Sequence, residues 1–343
     1  MNQFSSIEIC AGAGGQDLGL EQAGFGHEAL VEIDQDACRT LRYNRPEWTV
    51  IGGDVAQFSA SQYKGIDLFA GGVPCPPFSK AGKQLGKDDE RDLFPQAMRL
   101  VSECRPKAVM LENVRGLLDP AFAGYREELN HSLERMGYVP RWKLLQASSF
   151  GVPQLRPRVI LVALPREYSD FFDWPDPSAV PPLTVGKTLR DLMGSKGWGG
   201  VAEWSQKANA IAPTIVGGSK KHGGPDLGPT RAKRAWAELG VDGCSIADAP
   251  PEPEFKGMPR LTVQMVARIQ GFSDIESSIY KWTISGRKTA AYRQVGNAFP
   301  PPVAHAVGRQ IRLALEAGAK VRVAHVPSYV SIRPEAALAG VSV

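Results

Sequence analysis

Between Ser5 and about Pro165 short β-rich runs alternate with stretches of helical spacing, and that alternation leaves few architectures open to the chain. Residues 7–10, 29–33, 66–69, 108–111 and 159–163 are strand-length runs rich in apolar and β-branched side chains. Residues 17–23, 37–44, 93–104 and 125–136 repeat their apolar positions at helical intervals. Strands joined through helices pair in parallel, because such a crossover is long enough to return the chain in the same direction. The pattern therefore predicts an α/β fold with a doubly wound, mostly parallel sheet, whose ligand lies at the carboxyl ends of the strands. At Asp173 the alternation stops in Pro-rich sequence, and from there to about Pro259 the chain is Gly-rich, basic and irregular. Amphipathic helices return at residues 261–270 and 301–315. A length of 343 residues accommodates a larger domain of residues 1–184 completed by 286–318, a smaller one of 185–285, and a tail of 319–343 with a strand-like run at 321–325.

Apolar residues make up 43% and charged residues 22% of the chain, a globular balance that excludes a disordered, coiled-coil or collagen-like protein. No uninterrupted apolar run approaches the ~18 residues of a membrane span. The opening residues lack the basic and apolar regions of an export signal, so a cytoplasmic location without membrane contact is expected. Cys10, Cys38, Cys75, Cys104 and Cys244 are scattered with no C-x-x-C pair, which argues against a disulfide framework and a structural zinc site. The net charge is only +4, yet residues 185–288 hold fifteen Lys/Arg against ten Asp/Glu. A basic surplus in one segment suits contact with an anionic polymer, and equally a solvated face.

The first strand runs into Ala11-Gly12-Ala13-Gly14-Gly15-Gln16 before a helix opens at Asp17. Glycines let the backbone turn sharply and approach a ligand, and the helix start offers free N–H groups. A dinucleotide fingerprint requires glycine where Asp17 stands, and a carboxylate beside the turn would repel a pyrophosphate. That disfavours NAD and favours a group such as S-adenosylmethionine. Glu32, twenty residues after Gly12 and at the end of the second strand, is placed to bond ribose hydroxyls. Asp54 follows the next strand and can accept from an adenine amino group. The loop alone can be a structural turn; loop, Glu32 and Asp54 in series favour a cofactor site.

A second loop, Ala70-Gly71-Gly72-Val73-Pro74-Cys75-Pro76-Pro77-Phe78-Ser79, follows another strand. A cysteine is usually a small buried hydrophobe. Fixed between prolines at a strand's carboxyl end, Cys75 instead reads as an exposed nucleophile, since a thiolate attacks well and leaves well near neutral pH. Glu112, in Leu111-Glu112-Asn113-Val114, ends the next strand; it is either one half of an ion pair or, with its pKa raised by burial, a proton donor. Gln154-Leu155-Arg156-Pro157-Arg158 then offers two guanidinium forks.

In this order the motifs resemble those of the DNA (cytosine-5) methyltransferase family of bacterial restriction–modification type. The Gly-rich loop resembles its cofactor loop, Glu32 its ribose-binding acid, Pro74-Cys75 its nucleophile motif, Glu112-Asn113-Val114 its Glu-Asn-Val motif and Gln154, Arg156 and Arg158 its Gln-x-Arg-x-Arg motif. Ala212-Pro213-Thr214-Ile215 is similar to the start of its recognition domain, Arg260 to Phe272 to the helix that closes it, and Tyr292-Arg293-Gln294-Val295-Gly296-Asn297-Ala298 to the late segment that returns to the cofactor. The similarity spans residues 5 to 310. Cys10 stands where the family usually has a Phe on the adenine, and Pro76 replaces a common Gln.

The resemblance implies an S-adenosylmethionine-dependent methyltransferase fold with a target-recognition domain at 185–285. Cys75 would add to C6 of a flipped-out cytosine while Glu112 protonates N3, with Arg158 on Glu112 and the base and Arg156 supporting the loop, without a metal. The implied cofactor residues are Cys10, Ala11, Gly12, Gly14, Gly15, Glu32, Ile33, Asp54, Val55, Pro74, Asn297 and Ala298. Ser79, Lys83 and Gln84, on a loop closing over double-stranded DNA, and Lys220, Lys221, Arg231 and Lys233 are the implied DNA contacts. The protein would be a monomer in the bacterial cytosol, associated with the nucleoid, and a cognate restriction endonuclease acting on the same site is compatible with it. Two alternatives are a tRNA cytosine-5 methyltransferase, disfavoured by the long basic segment, and a non-catalytic DNA-binding regulator, disfavoured by the presence of Cys75, Glu112 and Arg158.

Overall fold

The computed structural model describes residues 4–74, 92–218 and 224–324; Cys75, Ser79, Lys83, Gln84, Lys220 and Lys221 lie outside the described residues. Seven strands, β1 (Phe4–Ile9), β2 (Phe25–Glu32), β3 (Val50–Gly52), β4 (Leu68–Gly72), β5 (Ala108–Val114), β6 (Tyr138–Gln146) and β7 (Pro157–Pro165), form one sheet in the order β3-β2-β1-β4-β5-β7-β6. The first five strands pair in parallel, and β7 inserts antiparallel between β5 and β6. Sequence periodicity missed β6, a strand at the sheet edge whose Pro140, Arg141 and Lys143 break the apolar pattern.

Side chains alternate across the sheet with a period of two, which gives each face its own helical layer. Ile7, Ile9, Val31, Phe69 and Leu111 pack with Phe94, Leu100 and Val101 of α3 (Phe94–Cys104) and Leu129 and Leu133 of α4 (Ala123–Arg135). Leu68, Ala70, Met110, Ile160 and Val162 face the other layer, formed by α1 (Gly15–Gln22), α5 (Arg166–Ser169) and α11 (Pro301–Ala324). α11 includes residues 321–324, read from the sequence as a strand; the β-branched Val321 and Val323 suggest a strand locally, but the preceding turn packs Gly318 against Tyr168 and the helix continues.

α1 and α11 approach through glycine. A Cβ on Gly19 would lie 2.4 Å from the Pro301 carbonyl oxygen and 2.5 Å from Ala304 Cβ. Gly19→Ala is therefore expected to lower stability by about 1–3 kcal/mol through overpacking, read as the shift of the urea unfolding midpoint; an unchanged midpoint would mean that the helices separate freely.

The segment expected to be irregular contains α6 (Val185–Met193), α7 (Val201–Lys207) and α8 (Thr230–Glu238), ahead of α9 (Val263–Gln270), read from the sequence as a helix at 261–270, and α10 (Lys288–Asn297). Gly- and Pro-rich breaks keep these helices too short for periodicity to stand out. Leu189, Met193, Trp204, Trp236 and Ile269 form their core, which continues into Leu18, Leu30 and Leu41 beside α2 (Gln35–Asn44). Trp282 joins the two halves: its ring N–H donates to the Ala13 carbonyl at 2.7 Å. Among the described residues no helix is long and apolar enough to cross a membrane.

Candidate active site

The strand order reverses direction between β1 and β4, and neighbouring crossovers there leave in opposite senses, opening a crevice at the carboxyl ends. A cavity of about 310 Å³ occupies it. Its wall is built from the ends of five strands and the end of α10: Cys10 to Ala13 after β1, Glu32 to Asp34 after β2, Gly53 to Val55 after β3, Gly72 and Pro74 at β4, Glu112 on β5, and Asn297 to Phe299.

The turn after β1 has left-handed backbone at Cys10 (φ 55), Gly12 (φ 58) and Gly14 (φ 83). Glu32 braces it, accepting from the Gly12 and Asp34 backbone N–H groups at 2.7 Å each. One lone pair per oxygen then remains for a ligand hydroxyl. Burial raises the Glu32 pKa, and the two N–H groups oppose that rise. Ile33 lines the cavity with a 66% exposed side chain, an apolar surface suited to a planar base. Asp54 caps a 3-10 turn, accepting from Ala56 N–H at 2.9 Å, and also faces the cavity. Asp34 caps α2 through Asp36 N–H at 2.8 Å and meets Arg293 at 3.2 Å, bridging the β2 end to α10.

Glu112 sits opposite Gly72 in the β4–β5 register. Arg158 reaches across from β7, placing Nε 2.6 Å from Glu112 Oε1, with side chains only 11% and 12% exposed. Burial raises the Glu112 pKa, and the guanidinium groups of Arg158 and Arg156 pull it back down. Asn113 is buried and donates to the Val73 carbonyl at 2.7 Å, fixing the last described turn before Cys75 against the strand that carries Glu112.

Several sequence assignments are corrected here. Gly14 and Gly15 do not line the cavity: a Cβ on Gly14 would meet Trp282 at 2.6 Å, and one on Gly15 would strike the Phe299 carbonyl at 2.1 Å, so packing dictates these glycines. Arg156, grouped with the catalytic residues and expected to support the loop, is fully buried and donates to the carbonyls of Ile215 (2.6 Å), Gly296 (2.8 Å) and Ala298 (3.0 Å). It positions three segments and touches no reacting group. Lys233 pairs with Asp226 at 2.9 Å, both side chains about one-third exposed, and Arg231 is exposed. Asp17 is fully buried behind the cavity wall rather than exposed beside the turn.

Gln16, Arg293 and Gln294, placed by sequence in the cofactor loop and the late segment without individual assignment, also line the cavity, as does Glu8, which sequence reasoning passed over. Glu8 had a visible signal, a lone acid between Ile7 and Ile9 in a central strand. Among the described residues the lining carries the carboxyl groups of Glu8, Glu32, Asp34, Asp54 and Glu112 against one guanidinium, Arg293, already paired with Asp34. Such a wall fits a nucleoside bearing a cationic sulfonium and disfavours a pyrophosphate.

The family profile for C-5 cytosine-specific DNA methylases matches residues 4–313. The chain is 60% identical over 320 residues to the type II methyltransferase M.NaeI of Lentzea aerocolonigenes, covering 92% of this chain and 76% of that protein. It is 58% identical over 317 residues to the type II methyltransferase M.NgoMIV of Neisseria gonorrhoeae, covering 92% of this chain and 99% of the other. A crystal structure described as an E. coli prophage-encoded DNA modification methyltransferase shares the fold with TM-score 0.62 at 24% identity, over 92% of this chain and 100% of that one. A DNMT2 variant of Spodoptera frugiperda does so with TM-score 0.60 at 17% identity, over 91% and 100%. The chain belongs to the C-5 cytosine-specific DNA methylase family and is a DNA cytosine-5 methyltransferase that uses S-adenosylmethionine.

Proposed function

We propose that the chain is the modification enzyme of a restriction–modification system, methylating one cytosine within a short double-stranded DNA sequence through a covalent Cys75 adduct. The Glu112–Arg158 pair at the floor of an acidic nucleoside-sized cavity carries this reading; the type II names of M.NaeI and M.NgoMIV support its biological setting. The nucleophile role of Cys75 is supported by the residues that precede it in sequence: Pro74 lines the cavity, and Asn113 ties Val73 to the Glu112 strand.

C5 of cytosine is a weak nucleophile, and the protein's task is to make it a better one. The Cys75 thiolate forms a bond to C6 while Glu112 delivers its proton to N3, leaving an electron-rich C5–C6 enamine. Arg158 holds the Glu112 carboxyl toward the base. Bound S-adenosylmethionine supplies an electrophilic methyl carbon. After C5 has taken the methyl group, its hydrogen leaves as a proton to solvent, the C6–S bond breaks to return the thiolate, and Glu112 recovers the N3 proton. Glu32 and Asp54 orient the cofactor's nucleoside, and the target base must leave the duplex to reach Cys75 and Glu112.

Residues 185–285 form the recognition domain in this reading, set on the catalytic residues 1–184 and 286–318, with the exposed Arg231 among the phosphate contacts. A monomer acting at the nucleoid in the bacterial cytosol, alongside an endonuclease of the same specificity, completes it.

Bisulfite sequencing of DNA from cells expressing the chain tests the proposal. Conversion-resistant cytosines confined to one short sequence are expected, and none with Cys75→Ser. Uniform conversion with the intact protein overturns the reading, and protection surviving Cys75→Ser reassigns the nucleophile.

A further inference from the structure

The reaction leaves unused two of the most deeply buried acids among the described residues. Glu8 on β1 (1% exposed) and Asp17 on α1 (0%) bring their carboxyl groups within hydrogen-bonding reach of each other. Glu8 Oε2 and both Asp17 carboxyl oxygens have no donor at normal geometry among the described residues. Glu8 lines the cavity beside Gln16, whose two amide atoms are also buried without partners, and Asp17 stands behind them. From β2, His27 directs its ring nitrogen to the Asp17 carbonyl at 2.9 Å, and burial lowers its pKa to about 4, so it brings no positive charge. The charges acting on the pair from β5, β2 and α1 are further acids, Glu112, Glu32 and Glu21.

Two facing carboxylates in a dry interior cannot both be ionised. Sharing one proton gives the missing hydrogen bond and leaves a single negative charge, which the start of α1 favours on Asp17. Burial raises the pKa of both groups. A cation in the cavity in front of Glu8 would stabilise that charge. S-adenosylmethionine brings one in its sulfonium; S-adenosylhomocysteine, which remains after methyl transfer, has a neutral thioether at the same atom.

We propose that Glu8 and Asp17 form a charge selector, one buried negative charge behind the cavity that favours the sulfonium donor over its uncharged product. The inference rests on the methyltransferase reading and adds to it a reason for the spent cofactor to leave.

The test is calorimetric titration of the full chain with S-adenosylmethionine, S-adenosylhomocysteine and sinefungin, which carries an ammonium in place of the methylated sulfur. In the Glu8→Gln/Asp17→Asn double variant, which removes both ionisable carboxyls, the ratio of affinity for the two cationic ligands to that for S-adenosylhomocysteine is expected to fall about tenfold, whereas Asp17→Asn keeps an ionisable Glu8 beside an amide donor and should not lose it. Glu8→Gln keeps an ionisable Asp17 beside an amide donor and should stay within about threefold of the parent ratio. An unchanged ratio in the double variant overturns the proposal. Should the variants fail to fold, the parent chain decides by titration near pH 7, where burial, which raises the Asp17 pKa to about 7, leaves the pair only partly ionised, in two buffers of different ionisation enthalpy: S-adenosylmethionine should expel more protons than S-adenosylhomocysteine, and equal proton counts overturn the selector. Folded parent protein that binds none of the three ligands overturns the methyltransferase reading itself.

Discussion

Replacing Glu112 by Gln is expected to lower kcat for cytosine methylation by about 10²- to 10⁴-fold, the range typical of a lost general acid. The amide matches the carboxyl in shape and can still accept a hydrogen bond from Arg158, now 2.6 Å from Glu112, so the local fold should survive. It cannot deliver a proton to N3 of the base. S-adenosylmethionine affinity should change little, because Glu32 and the turn at Gly12 lie on other strands. The pH profile gives a second readout. Burial raises the Glu112 pKa, so the protonated acid persists to higher pH than in an ordinary glutamate, and its contribution to rate falls as pH rises through that raised value. The same sign holds for stability: the Glu112 contribution is full below the ordinary glutamate pKa and lost as pH rises through the folded value. The variant should lack this dependence. Steady-state kinetics with labelled methyl donor would measure both, and a near-parental kcat would remove Glu112 from the chemistry.

Local sequence carries most of the sheet and the cavity, because β1, β2, β4, β5 and β7 are apolar runs and their terminal loops hold the chemistry. What it hides depends on distant partners. Gly14 resembles a ligand-binding glycine until Trp282 is seen against it, far along the chain. Asp17 resembles an exposed acid at a helix start until Glu8 is found facing it. β6 is concealed for another reason: an edge strand has one solvated side and tolerates proline and charge. Between residues 185 and 259, α7 and α8 bury a lone tryptophan each, Trp204 and Trp236, rather than an aliphatic stripe, and the helices are shorter than periodicity resolves.

Arg156 and Arg158 make the sharpest case, since they are two residues apart, chemically identical and indistinguishable by motif. Arg158 spends its guanidinium on Glu112, whereas Arg156 spends its own on the carbonyls of Ile215, Gly296 and Ala298. The Gln154 amide adds to this knot by donating to Gln270 Oε1 at 2.7 Å and accepting from Ile215 N–H at 2.9 Å. Arg156→Met is therefore expected to cost about 3–5 kcal/mol of stability, because three buried carbonyls lose their donors in a site water does not reach. Below its unfolding transition the variant should retain kcat within about tenfold, since no reacting group is touched. Arg158→Met should do the reverse, with a smaller loss of stability and a fall in kcat comparable to that of Glu112→Gln, because the acid loses the group that orients it. Urea denaturation and kinetics on the two variants separate the roles. A stable Arg156→Met protein with abolished turnover would return Arg156 to the catalytic set, and parental turnover in Arg158→Met would show that Glu112 needs no guanidinium to hold it.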